Sequence, residues 1–272
     1  MNRTFLKRKD IRWHFIMVVI SIVYLAPFIY TFTNAFKPRT AVEIYPPSLF
    51  FDFTLKHFVD ALKIYNLHKN IINSLKIALG ATGLGLLCGT FSAYVISRYR
   101  QRWMKIFIIF TMVVPYMVCL LPLFLMFQRL NLINSIPGLI LAHTFITVPQ
   151  SVWILTGFID GVPPELEYSA WIDGCSRVGS FFRIILPLIK PGLVATAVLS
   201  FMLSWNNFNI ALVLAHSETM TAPYTIYHFV SFEMIDWGGF SAIVILLTIP
   251  TIFFVIATQK HLIRGFMGGY EK

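Results

Sequence analysis

The sequence is short of charge. Asp, Glu, Lys and Arg make up 12% of its 272 residues, about half the share of ~25% in an ordinary soluble domain. Apolar residues reach 57% and mean hydropathy is +0.72. A soluble domain could not cover that much apolar area, and a disordered chain has the opposite composition. Acid is scarcest, at 12 Asp and Glu against 22 Lys and Arg. Cys88, Cys119 and Cys175 lack CxxC spacing and fall in or beside apolar segments. They form neither a disulfide framework nor a metal set, and read as small buried hydrophobes. P-loop, H-E-x-x-H and G-x-S-x-G patterns are all missing, and the seven histidines are scattered, so no catalytic constellation emerges. An integral membrane protein remains.

Six apolar runs satisfy the ~20-residue length of a membrane helix: about 14–34, 71–97, 106–127, 137–158, 184–206 and 239–259. The expected fold is all-α and polytopic. Before the first run stand Arg3, Lys7, Arg8, Lys9 and Arg12. The run has no small-residue cleavage site, so it reads as a retained helix rather than a signal peptide. With the N-terminus inside, the inside segments carry fourteen Lys and Arg and the outside segments six. The positive-inside rule therefore places both termini in the cytoplasm. It also explains the net +10 without nucleic acid, because no basic stripe is interleaved with aromatics.

Proline recurs in or beside the spans, at Pro27, Pro115, Pro122, Pro137, Pro149, Pro187, Pro191 and Pro250. Membrane helices tolerate single prolines, so none of these alone predicts a break. Gly80, Gly83, Gly85 and Gly89 crowd one helix, and the GxxxG of Gly85 and Gly89 predicts a close helix–helix seam.

Between the fourth and fifth runs lies a polar segment, about 160–183. Pro163 and Pro164 followed by Glu165 and Glu167 make a helix start. Leu166 and Ala170, with Tyr168 and Trp171, suggest an apolar side, and Asp173-Gly174 suggests a turn that ends the helix. The expectation is a two-turn helix at the membrane surface, then a second short helix from Ser176 that re-enters at Ile184.

This segment resembles the EAA loop of ABC-importer permeases, E-L-E-E-A-A-x-I-D-G, nine residues, then I-x-L-P. Glu165, Leu166, Glu167, Ala170, Ile172, Asp173, Gly174, Ile184, Leu186 and Pro187 fall in register. The pattern's second glutamate of the E-E pair and the alanine after it are Tyr168 and Ser169 here, so a charged contact at 168 is replaced by an apolar or hydroxyl one, or by Glu167. Asn73-Ser74 resembles the N-S-L opening the second span of carbohydrate-uptake permeases, and Ala93-Tyr94-Val95-Ile96-Ser97-Arg98 the A-Y-x-x-S-R that closes it. Trp205-Asn206-Asn207-Phe208 is similar to W-N-E-F, and Gln259–Gly269 to the family's ending. Together they resemble the shorter, six-helix member of the maltose- and glycerol-phosphate-type permease pairs.

The resemblance implies one permease domain over residues 1–272, in a bacterial cytoplasmic membrane. Residues Glu165–Ala170, Asp173 and Gly174 would form a coupling helix docked on an ATPase, and the tail glycines Gly265, Gly268 and Gly269 would touch the ATPase pair. ATP and Mg would be bound by those two partner subunits, with no cofactor on this chain. A second permease would complete the path, and an external solute-binding protein would reach the loop Ser217–Trp237. Trp205, Asn206 and Asn207 could line the path, the indole offering a flat surface and the amides hydrogen bonds to sugar hydroxyls; helix–helix hydrogen bonding is the competing reading. His143, inside a span, could relay protons or bond a neighbouring helix. A secondary transporter or channel is the alternative, although no inverted repeat is visible.

Overall fold

The computed structural model describes residues 3–48, 50–229 and 235–267, with side chains described between 13 and 256 apart from 49, 228 and 230–234. Among the described residues the regular elements are helices. They fall into two compact units, residues 1–67 with 226–248 and residues 68–225 with 249–272.

In the first unit, the helix Arg3–Ala35 runs through Pro27 without a break; residues 13–30 of it are exposed, and Asn34 and Ala35 in its last turn are buried. Behind it, Phe36 lies 5.0 Å from both the Phe53 and Phe58 rings. His57 is buried, its Nε2 2.9 Å from the Lys37 carbonyl, and the Lys37 ammonium lies 5.2 Å from the Phe51 ring. Gly238 is required there, because a Cβ would come within 2.3 Å of the His57 imidazole.

The second unit is built on the predicted glycine seam. The second-span helix Leu67–Arg98 lies along the fourth-span helix Ile136–Asp160. A Cβ on Gly80, Gly85 or Gly89 would come within 2.7 Å of Ile140, 2.8 Å of Thr147 or 2.5 Å of Ser151. Gly83 faces open space and takes no part in the seam. Across the fourth helix packs the fifth-span helix Lys190–Trp205. Polar bridges register that contact: Ser151 with Ser200 at 3.2 Å, and His143 Nδ1 with Ser204 at 2.7 Å. His143 is thus a buried interhelical contact. Ile77, Leu139, Ala142 and Ile210 form one apolar core of this unit, and Leu155, Ile159, Phe181 and Ile185 another.

Among the described residues four helices are long and apolar enough to cross a membrane, and two bent helix pairs bring the number to six if each pair is one span. The third divides into Arg102–Val113 and Tyr116–Arg129, bent by 86°. Val114, at ψ 122°, is extended immediately before Pro115, as the proline ring demands of its predecessor. The fifth bends by 73° between Arg177–Leu188 and Lys190–Trp205. A π-turn at Phe181–Ile185 precedes that bend, and Pro187 and Pro191 flank it. Both were expected as single helices. Pro27, Pro149 and Pro250, by contrast, sit inside continuous helices.

Candidate functional site

The helix after the fourth span is Glu165–Ile172. It starts on the Pro163 carbonyl, which accepts from the Leu166 N–H at 3.3 Å, and the Pro164 carbonyl, which accepts from Glu167 and Tyr168. It ends in a Schellman turn. Cys175 N–H donates to the Ala170 carbonyl at 2.9 Å and Gly174 N–H to Trp171 at 3.1 Å, with Gly174 at φ +84°. Only glycine adopts that conformation without strain. The Ser176 hydroxyl then caps the next helix, accepting from the Gly179 N–H at 3.0 Å.

What fixes this helix is Glu167, which is 1% exposed. Its carboxylate pairs with the Arg98 guanidinium and accepts from the Tyr94 hydroxyl at 2.7 Å. Arg98 also donates to the carbonyls of Ile159 at 3.2 Å and Val162 at 3.1 Å. Both carbonyls lie at or just past the C-terminal end of the fourth-span helix, where a cation is favoured. Beside it, Ser97 donates to Asp160, which Lys105 meets at 2.8 Å. Tyr94, Ser97 and Arg98 are the polar residues of the A-Y-x-x-S-R motif, so that motif is the seat of the surface helix.

Glu167 is therefore committed within the chain. Tyr168 is 52% exposed, and Glu165, Leu166, Ser169, Ile172, Asp173 and Gly174 are exposed as well, with Ala170 half-buried. Leu166 and Tyr168, of the expected apolar side, are exposed, and the buried Glu167 carboxylate holds the helix to the chain. Trp171 supports Tyr168, with ring centroids 5.3 Å apart. Its own indole N–H donates to Ser180 at 2.9 Å, and Arg177 lies over its ring. Of the tail glycines, Gly265 is helical backbone, whereas Gly268 and Gly269 lie outside the described residues.

At the far end of the fifth span the expected trio separates. Trp205 is 2% exposed and stacks on Phe201 at 5.8 Å, so it offers no surface to a solute. One turn of helix puts positions 201 and 205 on the same buried stripe. Asn206 and Asn207 do line a cleft of about 530 Å³, with Tyr116, Gln150, Phe208 and Asn209. Asn207 and Asn209 amides donate to the Tyr116 hydroxyl at 3.2 and 2.8 Å. The buried Gln150 Oε1 has no hydrogen-bond partner among the described residues. Tyr116 follows the Pro115 break, and Asn206–Phe208 follow the end of the fifth-span helix. Irregular backbone at membrane depth is tolerated where it is buried in protein or lines a water-filled cavity. Tyr116, Gln150 and Asn209 went unnoticed in the sequence; Pro115 was the available signal for Tyr116.

Near the other end of the second span, Asn73 donates to the carbonyls of Glu218 and Met220, both at 3.1 Å. The Ser74 hydroxyl accepts from Ala222 N–H at 2.8 Å. The N-S pair thus ties down the loop after the fifth span. Lys69 hydrogen-bonds Glu218 at 2.7 Å and holds its carboxyl below the usual glutamate range.

Residues 83–267 match the family model of the binding-protein-dependent transport system inner membrane component. The chain belongs to this family. It is accordingly a multi-pass permease subunit of an ATP-binding-cassette importer, not itself an enzyme. A putative ABC transporter permease of Streptomyces antibioticus is 34% identical over 205 residues, 74% of this chain and 90% of that protein. A galactooligosaccharides transport system permease of Bacillus subtilis is 30% identical over 270 residues, 95% of this chain and 94% of its own length. A trehalose transport system permease of Mycobacterium tuberculosis is 28% identical, covering 97% of this chain and 98% of its own. Among solved structures, a bacterial ABC transporter that imports the acidic polysaccharide alginate has the same fold. That match has a TM-score of 0.76 at 19% identity, over 96% of this chain and 98% of that one.

Proposed function

We propose that this permease forms half of the path for a sugar or related polyol delivered by an extracellular solute-binding protein. A second, non-identical permease supplies the other half, and two ATPase subunits bind ATP and Mg. The N- and C-termini face the cytoplasm, in keeping with the fourteen-to-six distribution of basic residues. Glu165–Ile172 docks on an ATPase through its Tyr168 face, and the tail from Gly265 through Gly269 adds a second contact. The observation that carries the coupling role is the Arg98–Glu167 pair, which makes the surface helix a rigid extension of the second and fourth spans. Sugar import is supported by the named cargo of the galactooligosaccharide and trehalose relatives, and by the carboxamides of the cleft, which suit hydroxyl groups. Purifying the whole importer and measuring which solute, with its binding protein, stimulates ATP hydrolysis tests the reading. Stimulation by sugars or polyols is expected; stimulation only by amino acids or ions would overturn it.

A further inference from the structure

A second cavity, of about 430 Å³, lies where the second, third and fourth spans end beside the surface helix. Arg98, Arg100, Arg102 and Lys105 line it, with Asp160 and Tyr168. Arg98 is spent on Glu167 and two carbonyls, and Lys105 on Asp160. Arg100 and Arg102 are exposed and have no ionic or hydrogen-bonded partner among the described residues. Arg102 also opens the helix Arg102–Val113, which has no acid in its first turn and no side-chain cap. Its first N–H groups and the positive end of its dipole therefore add to the same field. Next to it Trp103 is 82% exposed, as an indole at the membrane boundary is. Two unneutralised arginines, an open helix N-terminus and an interfacial tryptophan thus meet at the end of three membrane helices.

We propose that this cavity binds a phosphate group, that of an anionic phospholipid headgroup, and that the bound lipid braces the coupling helix. Tyr168 reaches the cavity from that helix, so the occupant touches the coupling segment itself. The chemistry also accounts for the departure at position 168. A glutamate there would put a second carboxylate beside Asp160 and cancel the field, whereas a phenol hydroxyl can donate to a phosphate oxygen. The inference rests on the coupling role proposed above for Glu165–Ile172 and is independent of the solute carried.

The test uses the whole importer in nanodiscs of phosphatidylcholine alone or with phosphatidylglycerol. Native mass spectrometry reads retained lipid, and solute-stimulated ATP hydrolysis reads the consequence. Wild type is expected to retain phosphatidylglycerol and to hydrolyse ATP faster with it. Removing both cations in Arg100→Gln/Arg102→Gln should weaken retention about 25-fold, at about fivefold for each arginine at a membrane surface. Tyr168→Glu should weaken retention while leaving both arginines in place. Equal retention by wild type and the double variant would overturn the proposal. So would full replacement of the lipid effect by inorganic phosphate in phosphatidylcholine discs, which would make the ligand free phosphate. Loss of the ATPase subunits from the double variant in lipid-free detergent would instead assign the cavity to an acidic group of that partner, and would equally refute the lipid.

Discussion

Arg98 and Glu167 stand 69 positions apart and form an ion pair whose carboxylate is buried and whose part-buried guanidinium also holds the carbonyls of Ile159 and Val162. One side chain thereby joins the end of the second span, the end of the fourth and the surface helix. Force applied to Glu165–Ile172 passes to two membrane helices without slack.

Removing the carboxylate leaves the part-buried guanidinium without its charged partner, at a cost of about 1–3 kcal/mol. Glu167→Ala is therefore expected to loosen residues 160–183 while the chain still inserts. Limited proteolysis at Arg177 and Arg183 should accelerate over wild type, and copurified ATPase should fall. Unchanged cleavage would show that Arg98 does not hold the segment.

At Gly174 a Cβ meets nothing within 4 Å, so the difficulty there is the backbone, at φ +84°. Gly174→Leu should cost about 1–2 kcal/mol of local strain and lower the transport achieved per ATP hydrolysed. Gly174→Asn, which tolerates the left-handed region better, should retain more. Transport and ATPase rates on reconstituted complexes give the comparison, and equal coupling in wild type and both variants would contradict it.

The glycines of the second span separate cleanly. Gly89→Ala drives a methyl into Ser151, and overpacking of this kind costs about 1–3 kcal/mol. Gly83→Ala meets open space and should be neutral or stabilising by up to about 1 kcal/mol from helix propensity. Thermal unfolding in detergent should rank Gly83→Ala at or above wild type and Gly89→Ala below.

In the cleft, Gln150→Leu removes the unpartnered acceptor while keeping similar volume. Solute-stimulated hydrolysis should fall as the ATPase rate without solute stays level, whereas Trp205→Phe, a buried substitution, should change stability more than solute response. Identical solute titrations for wild type and Gln150→Leu would remove the cleft from the path.

Much of the coupling segment could be read in the sequence because its signals are local. The double proline, the Asp173-Gly174 turn and the N-cap serine at 176 act within a few residues. The glycine seam was legible for the same reason. Arg98 and Glu167 each stood out within a motif, but their pairing did not, since nothing local links positions so far apart. Trp205 misled because residue type suggested a sugar-stacking ring while helical phase turned it inward. The prolines were ambiguous by nature: Pro27, Pro149 and Pro250 are absorbed in continuous helices, and Pro115 is not, because Val114 adopts the extended geometry that breaks the turn.

The central claim is that the surface helix turns Tyr168 toward the ATPase and Glu167 toward its own chain. A photoreactive phenylalanine analogue placed at 168 and, separately, at 94, whose tyrosine touches Glu167, tests it directly in the assembled importer. Position 168 is expected to cross-link to the ATPase, and position 94 to give cross-links only within the permease. A cross-link to the ATPase from 94, or none from 168, would contradict the account.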